Sequence, residues 1–296
     1  MAGSGVQPHD GKDGPDLPDL GAPRYQLLEL SSESDLACIY LAYDRDLKRQ
    51  VALRLVRAEA LTQRFLAEVR VVARLDHPGI VPVLDVGLTA GGLAYCTMPV
   101  VRGRTLRRIL DELKSGDEAV SHRYSLTHLV QVFLQVVQAV AYARGLGVRH
   151  RDLKPENVML GEYGEVQLLD RGLTRVEDSV EIDERIDVRA LGVLFYEVLT
   201  LERPPTASTG EAPEAPRSRA PQRAIPLALE RACLGALAAE TAAGHGTAEE
   251  LRVEVQAWLE ADADQVQRHQ RAEEKAREGR ALLEEFLHLK VEVARL

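Results

Sequence analysis

Apolar positions between residues 25 and 101 fall in short runs that predict β-strands. The runs are bounded by charged turns and occupy residues 39–42, 51–56, 80–84 and 93–98. One helix interrupts them, because Phe65, Val69, Val72 and Leu75 recur at the three- and four-residue spacing of a helix face. This part of the chain is therefore predicted to be β-rich with one packed helix.

The pattern becomes helical from Gly103 onward. A long apolar stripe predicts a helix whose first turn is capped by Ser125. The stripe comprises Leu129, Val130, Phe133, Leu134, Val137 and Val140. Further helices are predicted over residues 188–199, 227–239 and 248–261. Residues 204–226 are rich in Pro and Ser and are predicted to form a loop.

The two ends of the chain differ in composition from the body. Residues 1–23 are rich in Gly, Pro and Asp without periodicity, which predicts a disordered tail. Residues 265–296 are highly charged and helix-prone, and they contain apolar positions spaced by 4, 3, 4 and 3 residues. These heptad positions are Leu282, Phe286, Leu289, Val293 and Leu296. Two alternatives follow: self-association through the 282–296 seam, or a solvated helix that docks once on the body.

Composition narrows the class of partner. The net charge of -9 disfavours nucleic acid and anionic membranes, because both are polyanions. The longest apolar run, residues 190–201, contains Glu197 and is too short and polar for a membrane span. The N-terminus lacks the apolar core of a signal peptide, and the three cysteines form no CxxC pair. We therefore expect a cytoplasmic protein with a protein partner or substrate.

The segment His150-Arg151-Asp152-Leu153-Lys154-Pro155-Glu156-Asn157 carries the main chemical signal. It is followed by a predicted strand at residues 165–169 and by Asp170-Arg171-Gly172. Together with the β-rich first part and the helical second part, this pattern resembles the protein kinases, and most of all the bacterial serine/threonine kinases. The resemblance runs from about Tyr25 to Ala261.

The resemblance implies an α+β, two-lobed kinase-like fold. The small β-rich N-lobe would comprise residues 24–101 and the larger helical C-lobe residues 102–262. The disordered tail, residues 1–23, would precede them, and a charged C-terminal helix, residues 263–296, would follow.

The resemblance also implies roles in transfer of the ATP γ-phosphate with Mg²⁺. Asp152 would accept the proton of the substrate hydroxyl, and Lys154 would steady the γ-phosphate. Asn157 and Asp170 would hold the magnesium ions. Asp187 matches the aspartate that holds the catalytic loop in the family, although an acid at a helix start is also common.

An adenine pocket is implied in the same way. Ile39, Ala52 and Met159 match the residues that enclose the purine ring in family members. Met98 matches the gatekeeper residue, and Val101 belongs to the hinge, whose backbone can bond adenine. Apolar residues at these positions are equally expected in an ordinary protein core that binds no nucleotide.

Two motifs that handle phosphate depart from the family pattern. The glycine-rich loop GxGxxGxV is replaced by residues 32–39, Ser-Glu-Ser-Asp-Leu-Ala-Cys-Ile, and Glu33 and Asp35 add negative charge there. The strand lysine is replaced by Arg54, which could still pair with Glu68 on the helix. Arginine is larger and planar, so the replacement is not conservative at a phosphate site.

The activation segment is the largest departure. Only 15 positions separate Gly172 from Asp187, and no segment ending in Ala-Pro-Glu fits between them. Arg171 replaces the apolar ring that family members place beside His150. In the family that this chain resembles, the activation segment docks the peptide substrate, and a buried Arg171 would need a partner beside His150.

Three functions remain open. The losses favour a pseudokinase, a binding or regulatory module with weak or no ATP turnover. The retained Asp152, Lys154, Asn157 and Asp170 favour a low-efficiency active serine/threonine kinase. A small-molecule kinase would also lack the peptide-docking segment, but Leu153-Lys154-Pro155 fits protein kinases better.

Overall fold

The structure of the protein is a computed structural model. This structure describes residues 20, 24–150, 152–169, 184–205, 214–238 and 244–293, and it describes side chains in the last helix up to residue 284. Contacts divide the chain into two compact units. The first comprises Met1–Ile109 with Ala139–Asp183, and the second comprises Leu110–Gln138 with Glu184–Leu296.

The first unit is built on a five-stranded antiparallel sheet in the order β1-β2-β3-β5-β4. Its strands are β1 (Tyr25–Glu33), β2 (Ala37–Asp44), β3 (Arg49–Val56), β4 (Asp85–Leu88) and β5 (Ala94–Pro99). Helix α1 (Thr62–Val72) places Phe65 and Val69 in one apolar cluster with Val56 and Cys96. The predicted helix and three of the four predicted strands are confirmed.

The strand predicted at residues 80–84 is wrong. The structure has only an isolated bridge at Ile80, and the strand β4 begins at Asp85. Pro82 has no N–H to donate to a ladder, so an apolar run that contains it cannot form a central strand. Residues 79–81 instead follow the second sheet, since the Leu168 amide donates to the Gly79 carbonyl at 2.8 Å.

A second, three-stranded antiparallel sheet completes the first unit. It consists of β6 (Arg104–Thr105), β7 (Val158–Leu160) and β8 (Val166–Leu168), in that order. Strand β8 matches the predicted strand at 165–169, whereas β7 was not predicted, because its three residues are all apolar and show no alternation. The β7–β8 hairpin directly follows the His150–Asn157 segment.

Helices dominate the second unit. They are α2 (Leu106–Lys114), α3 (Glu118–Arg123), α4 (Leu126–Gly145), α5 (Glu184–Thr200), α6 (Pro216–Arg219), α7 (Leu227–Leu237) and α8 (Ala248–Val293), and α2 and α4 also contribute residues to the first unit. The rings of Phe133 on α4 and Phe195 on α5 stack at 4.2 Å between centroids. The Ser125 hydroxyl accepts from the His128 amide at 3.2 Å, as predicted for a cap.

Helix α4 is long and apolar enough to cross a membrane by length and composition. The core helix of a water-soluble domain has the same signature, and the apolar face of α4 is buried in the protein. Leu129, Val130, Phe133, Val136 and Val137 are each at most 2% exposed.

Two further sequence predictions need correction. The loop predicted at 204–226 contains the one-turn helix α6. Leu20, assigned to the disordered tail, is buried among Tyr25 and Tyr40, and its carbonyl accepts from the Ala90 amide at 3.1 Å. The predicted C-terminal helix is confirmed as far as residue 293, and it continues the helix predicted at 248–261 without a break at residues 262 and 263.

Candidate active site

The His150–Asn157 loop is held by its own backbone hydrogen bonds. The Asp152 amide donates to the His150 carbonyl at 2.7 Å, and the Asn157 amide donates to the Lys154 carbonyl at 2.9 Å. Pro155 opens a short 3-10 helix, Pro155–Asn157, where its fixed φ is favourable and its missing N–H costs nothing. These bonds hold residues 152–157 in a defined shape without any ligand.

The predicted catalytic residues come together around the Asp152 carboxylate. Lys154 Nζ lies 2.7 Å from Asp152 Oδ2. The buried Asn157 side chain donates through Nδ2 to the same oxygen at 2.9 Å and to the Asp152 carbonyl at 2.8 Å. These bonds leave Asp152 Oδ1 as the carboxylate oxygen that can accept a proton from a substrate.

Asn157 also offers an oxygen suited to a metal ion. Its Oδ1 is buried and, within the described part of the chain, has no hydrogen-bond partner. Amide and carboxylate oxygens are the ligands that Mg²⁺ prefers in proteins. The second predicted ligand, Asp170, lies outside the described residues, but the Leu169 amide before it donates to the Asn157 carbonyl at 2.7 Å. The described residues thus fit one half of the predicted magnesium site.

Four residues predicted for the nucleotide pocket share one face of the five-stranded sheet. Ala52 lies opposite Met98, and Ile39 lies opposite Arg54. Residues two apart on a strand point to the same side, so Ala52 and Arg54 share that face. Ile39, Ala52 and Met98 are each half-buried, which leaves this apolar surface accessible.

The remaining two pocket residues lie nearer the catalytic loop in the chain. Val101 is half-buried in the link between β5 and β6. Met159, half-buried on β7, lies opposite Thr105 on β6 and Gln167 on β8. Their contact with a purine ring stays a prediction.

Arg54 lies in the interior, beside α1. It is 7% exposed, and its guanidinium carbon is 5.6 Å from the centroid of the Phe65 ring. Arg54 and Glu68 both line a small pocket that also reaches Cys96 and Met98. The Glu68 carboxylate accepts from Arg64 at 3.2 Å, one helical turn earlier.

The segment that replaces the glycine-rich loop forms a closed hairpin. The Ser34 amide and hydroxyl both bond the Ala37 carbonyl, and the Ala37 amide donates to the Ser34 hydroxyl at 3.2 Å. Arg57 holds the same turn by pairing with the Glu33 carboxylate and by donating to the Ser34 carbonyl. Arg57 thus offsets the Glu33 charge, and Asp35 alone carries the expected repulsion toward phosphate.

Two features near the site are not predicted by the sequence. The Glu156 carboxylate accepts from Arg107 at 2.9 Å, which anchors the loop to α2. Partial burial raises the pKa of Glu156, but a hydrogen bond from the backbone and the bond from Arg107 together lower it below its usual value. Burial lowers the pKa of the His150 imidazole from 6.5 to about 4, so this ring is neutral at pH 7. A salt bridge between residues 49 positions apart leaves no mark on local pattern.

Comparisons with known proteins identify the family. A model of the protein kinase domain matches residues 33–181. The serine/threonine-protein kinase PknD of Protochlamydia amoebophila is 30% identical over 80% of this chain and 30% of that protein. PknD of Chlamydia trachomatis serovar D is 29% identical over 81% of this chain and 32% of that protein. The chain thus spans about a third of the length of these curated relatives.

Solved structures agree on the fold. The PknI kinase domain of Mycobacterium tuberculosis superposes with a TM-score of 0.63 at 23% identity, covering 81% of this chain and 98% of that domain. The apo form of PpkA-294 gives a TM-score of 0.63 at 21% identity, covering 81% and 99%. These likenesses show the two-lobed α+β kinase fold. With residues 33–181 matched by the kinase domain model and bacterial serine/threonine kinases as relatives, this chain belongs to the protein kinase family.

Proposed function

We propose that this kinase domain acts mainly as a regulatory binding module for a protein partner in the cytoplasm, with weak or no ATP turnover. The β1–β2 hairpin is the observation that carries the proposal. A phosphate-binding loop needs free backbone N–H groups that can approach the ligand. Here the Ser34 and Ala37 amides are both engaged within the turn. Binding phosphate there would first require these bonds to open.

Arg54 supports the same reading. A lysine at this position would be a flexible point charge that can reach a phosphate, whereas the planar guanidinium is buried against Phe65. Moving it to a phosphate would lose that cation–π contact and remove a side chain that lines the pocket beside Glu68. Nucleotide affinity should therefore be low even where the adenine face is intact.

A low-efficiency serine/threonine kinase is the second candidate, favoured by the geometry around Asp152. In that case Asp152 Oδ1 would take the proton of the substrate hydroxyl, and Lys154, 2.7 Å from Oδ2, would supply positive charge beside the transferred group. Asn157 Oδ1 and Asp170 would hold Mg²⁺, which neutralises phosphate charge when bound. A small-molecule kinase is a weaker third candidate, since it rests only on the short segment between Gly172 and Asp187.

Turnover decides between the first two candidates. The purified chain is incubated with labelled ATP, Mg²⁺ and a generic Ser/Thr substrate, beside Asp152→Asn, which keeps the size of the side chain. We expect the two proteins to give the same background. Phosphate incorporation that disappears in Asp152→Asn would establish the active kinase and refute the proposed role.

Nucleotide binding is measured separately by thermal unfolding with and without Mg-ATP. We expect a small shift that does not depend on the metal. A stabilisation of several degrees that Asp170→Asn abolishes would show an intact metal–nucleotide site. That result would contradict weak binding but would leave the turnover question to the labelled-ATP assay.

A further inference from the structure

The outer edge of the five-stranded sheet exposes apolar side chains. Strand β4 ends the sheet, and within the described part of the chain it pairs with β5 alone. Val86 and Leu88 on this strand are 41% and 54% exposed. Val86 lies opposite Cys96 and Leu88 lies opposite Ala94, so both point to the face of the sheet on which α1 packs. The apolar core beside α1 is therefore open to solvent at this edge.

Helix α1 borders this open edge. In its first turn the Thr62 hydroxyl donates to the Gly92 carbonyl and accepts from the Ala94 amide, each at 3.3 Å, which fixes this side of the helix beside the turn between β4 and β5. Leu66 and Arg70 follow at four-residue intervals and so lie along the same side. Leu66 is half-buried against the apolar cluster, and Arg70 is exposed. We call the following three residues the α1–β4 surface: Leu66, Val86 and Leu88.

Positive charge borders the α1–β4 surface. Arg70 on α1 and Arg74 in the turn after it are both exposed, and neither pairs with a carboxylate among the residues that the structure describes. The acidic residue of α1, Glu68, is buried and pairs with Arg64. The dipole of the helix favours arginine at its end, but the two arginines lie within one turn and repel each other. A carboxylate from another molecule would neutralise this repulsion.

The backbone of β4 offers hydrogen bonds at the same edge. The Val86 amide donates to the Asp85 carboxylate at 2.9 Å, and the Ala90 amide donates to the Leu20 carbonyl at 3.1 Å. Both amides point away from β5, and in an antiparallel ladder alternate residues share this direction. The Leu88 amide and carbonyl therefore also point outward, where no described strand follows. An extended segment that paired with Leu88 would add a strand to the sheet.

The other face of this edge carries a carboxylate that is already paired. Asp85 accepts from Arg24 at 3.1 Å and from the Tyr25 hydroxyl at 2.7 Å. Gly87, two residues later on the same face, lies against the Tyr95 ring. A strand added at the edge would thus meet apolar and positive groups on the α1 face and a neutralised ion pair on the other. Apolar and acidic side chains suit the first face, and small uncharged side chains suit the second.

We propose that the α1–β4 surface docks an extended segment of a protein partner that presents apolar side chains flanked by acidic ones. The apolar side chains cover Val86 and Leu88, the backbone pairs with Leu88, and the carboxylates reach Arg70 and Arg74. Nucleic acid would neutralise the arginines but would leave the leucine and valine exposed. This proposal rests on the proposed role as a binding module and specifies its partner. Its test measures binding without ATP, so it can fail independently of the turnover assay.

Fluorescence anisotropy with a labelled peptide tests the docking. The probe is fluorescein-Glu-Thr-Leu-Thr-Leu-Thr-Glu, in which leucine and glutamate share one face of a strand and threonine forms the other. We expect saturable binding to the full chain that weakens about tenfold in Leu88→Glu, because a carboxylate then replaces the apolar contact. Leu47→Glu, at a leucine that is 56% exposed in the turn between β2 and β3, is the matched control and should bind like the wild type. The proposal is refuted if the peptide does not bind, or if both variants bind it equally.

Charge exchange tests the role of the arginines. Arg70→Glu should weaken binding of the peptide a few-fold, and a peptide with lysine in place of glutamate should restore binding to this variant. Arg49→Glu, at an exposed arginine on β3, is the matched control and should change neither result. Equal binding of both peptides by the wild type and Arg70→Glu would overturn the proposed charge complementarity and with it the proposal.

Other occupants of the α1–β4 surface would give different results. Sedimentation equilibrium of the full chain detects self-association; the 282–296 seam lies mostly outside the residues whose side chains the structure describes. A dimer that Leu88→Glu dissociates would assign the surface to a second copy and overturn the proposal. Peptide binding that appears only after removal of residues 1–19 would assign it to the N-terminal segment of the same chain. Displacement of the peptide by oligothymidylate would assign it to nucleic acid.

Discussion

His150 should make this protein less stable as the solution becomes mildly acidic. Both ring nitrogens are buried and have no hydrogen-bond partner among the residues that the structure describes. Burial therefore lowers the pKa of the folded-state ring to about 4, from 6.5 in an unfolded chain. Lys154 lowers the pKa further, and Asp152 opposes both effects. The variant His150→Phe removes the ring nitrogens and should therefore remove this loss of stability in acid.

The sign and the size follow from proton linkage. Between pH 6.5 and pH 4 the unfolded chain binds a proton at this position and the folded protein does not, so acid favours unfolding. The full loss is on the order of 3 kcal/mol, reached near pH 4, and about 2 kcal/mol of it is present at pH 5. Above pH 7 the ring is neutral in both states and contributes no pH dependence.

Urea unfolding at pH 7.5 and at pH 5 measures the effect. The advantage of His150→Phe over the wild type should grow by about 2 kcal/mol between the two values. Burial also lowers the pKa of His77, but that ring is present in both proteins and its effect cancels. His122→Phe, at an exposed histidine, is the matched control and should show no growth. Equal pH dependence of the wild type and His150→Phe would refute the reasoning.

Three further predictions concern the candidate site and helix α8. Asn157→Ala should lower the free energy of unfolding by about 2–4 kcal/mol without any ligand, because two hydrogen bonds to Asp152 are lost; an unchanged urea midpoint would contradict this. Ser34→Gly frees the Ala37 amide and should increase the thermal shift with Mg-ATP, whereas Ser31→Gly, outside the turn bonds, should not. A methyl group added at Gly279 meets only open space, so Gly279→Ala should stabilise helix α8 by about 1 kcal/mol. The measurement is the melting temperature of the helical circular dichroism signal, which should rise. An unchanged melting temperature would show that this part of α8 is not helical in solution.

Local pattern predicted most of the fold because each element buries one face. Phe65 and Val69 recur at helical spacing, and in the structure both pack under the sheet. The pattern failed where a single residue overrides it: Pro82 removes a ladder donor from an otherwise strand-like run. It also failed at Leu20, whose side chain is buried and whose carbonyl accepts a backbone hydrogen bond although the surrounding composition predicts disorder.

The sequence predicts which residues form the candidate site, but it does not predict their partners in ion pairs and hydrogen bonds. The motif places Asp152, Lys154 and Asn157 within eight residues of His150, and a loop that short must bring them together. The partners of Arg57 and Glu156 could not be predicted in this way. Arg57 reaches Glu33 and Arg107 reaches Glu156 across 24 and 49 positions, respectively. Such pairs depend on how the strands and helices pack, and a single sequence carries no signal for them.

The intact catalytic loop is weaker support for activity than it first suggests, because the same residues stabilise the loop itself. Asn157 is fully buried and bonds Asp152 twice, and Lys154 pairs with the same carboxylate. Replacing Asp152 with an apolar residue would remove one acceptor of the buried Asn157 amide, and replacing Asn157 would remove both hydrogen bonds to Asp152, at a cost of about 1–3 kcal/mol. A kinase domain that no longer transfers phosphate would therefore still lose stability on changing these residues. The glycine-rich motif at the β1–β2 hairpin is under no such constraint, because the hydrogen bonds of Ser34 and Arg57 hold the turn without glycine. The hairpin is thus the more informative of the two motifs, and it favours a binding module over an enzyme.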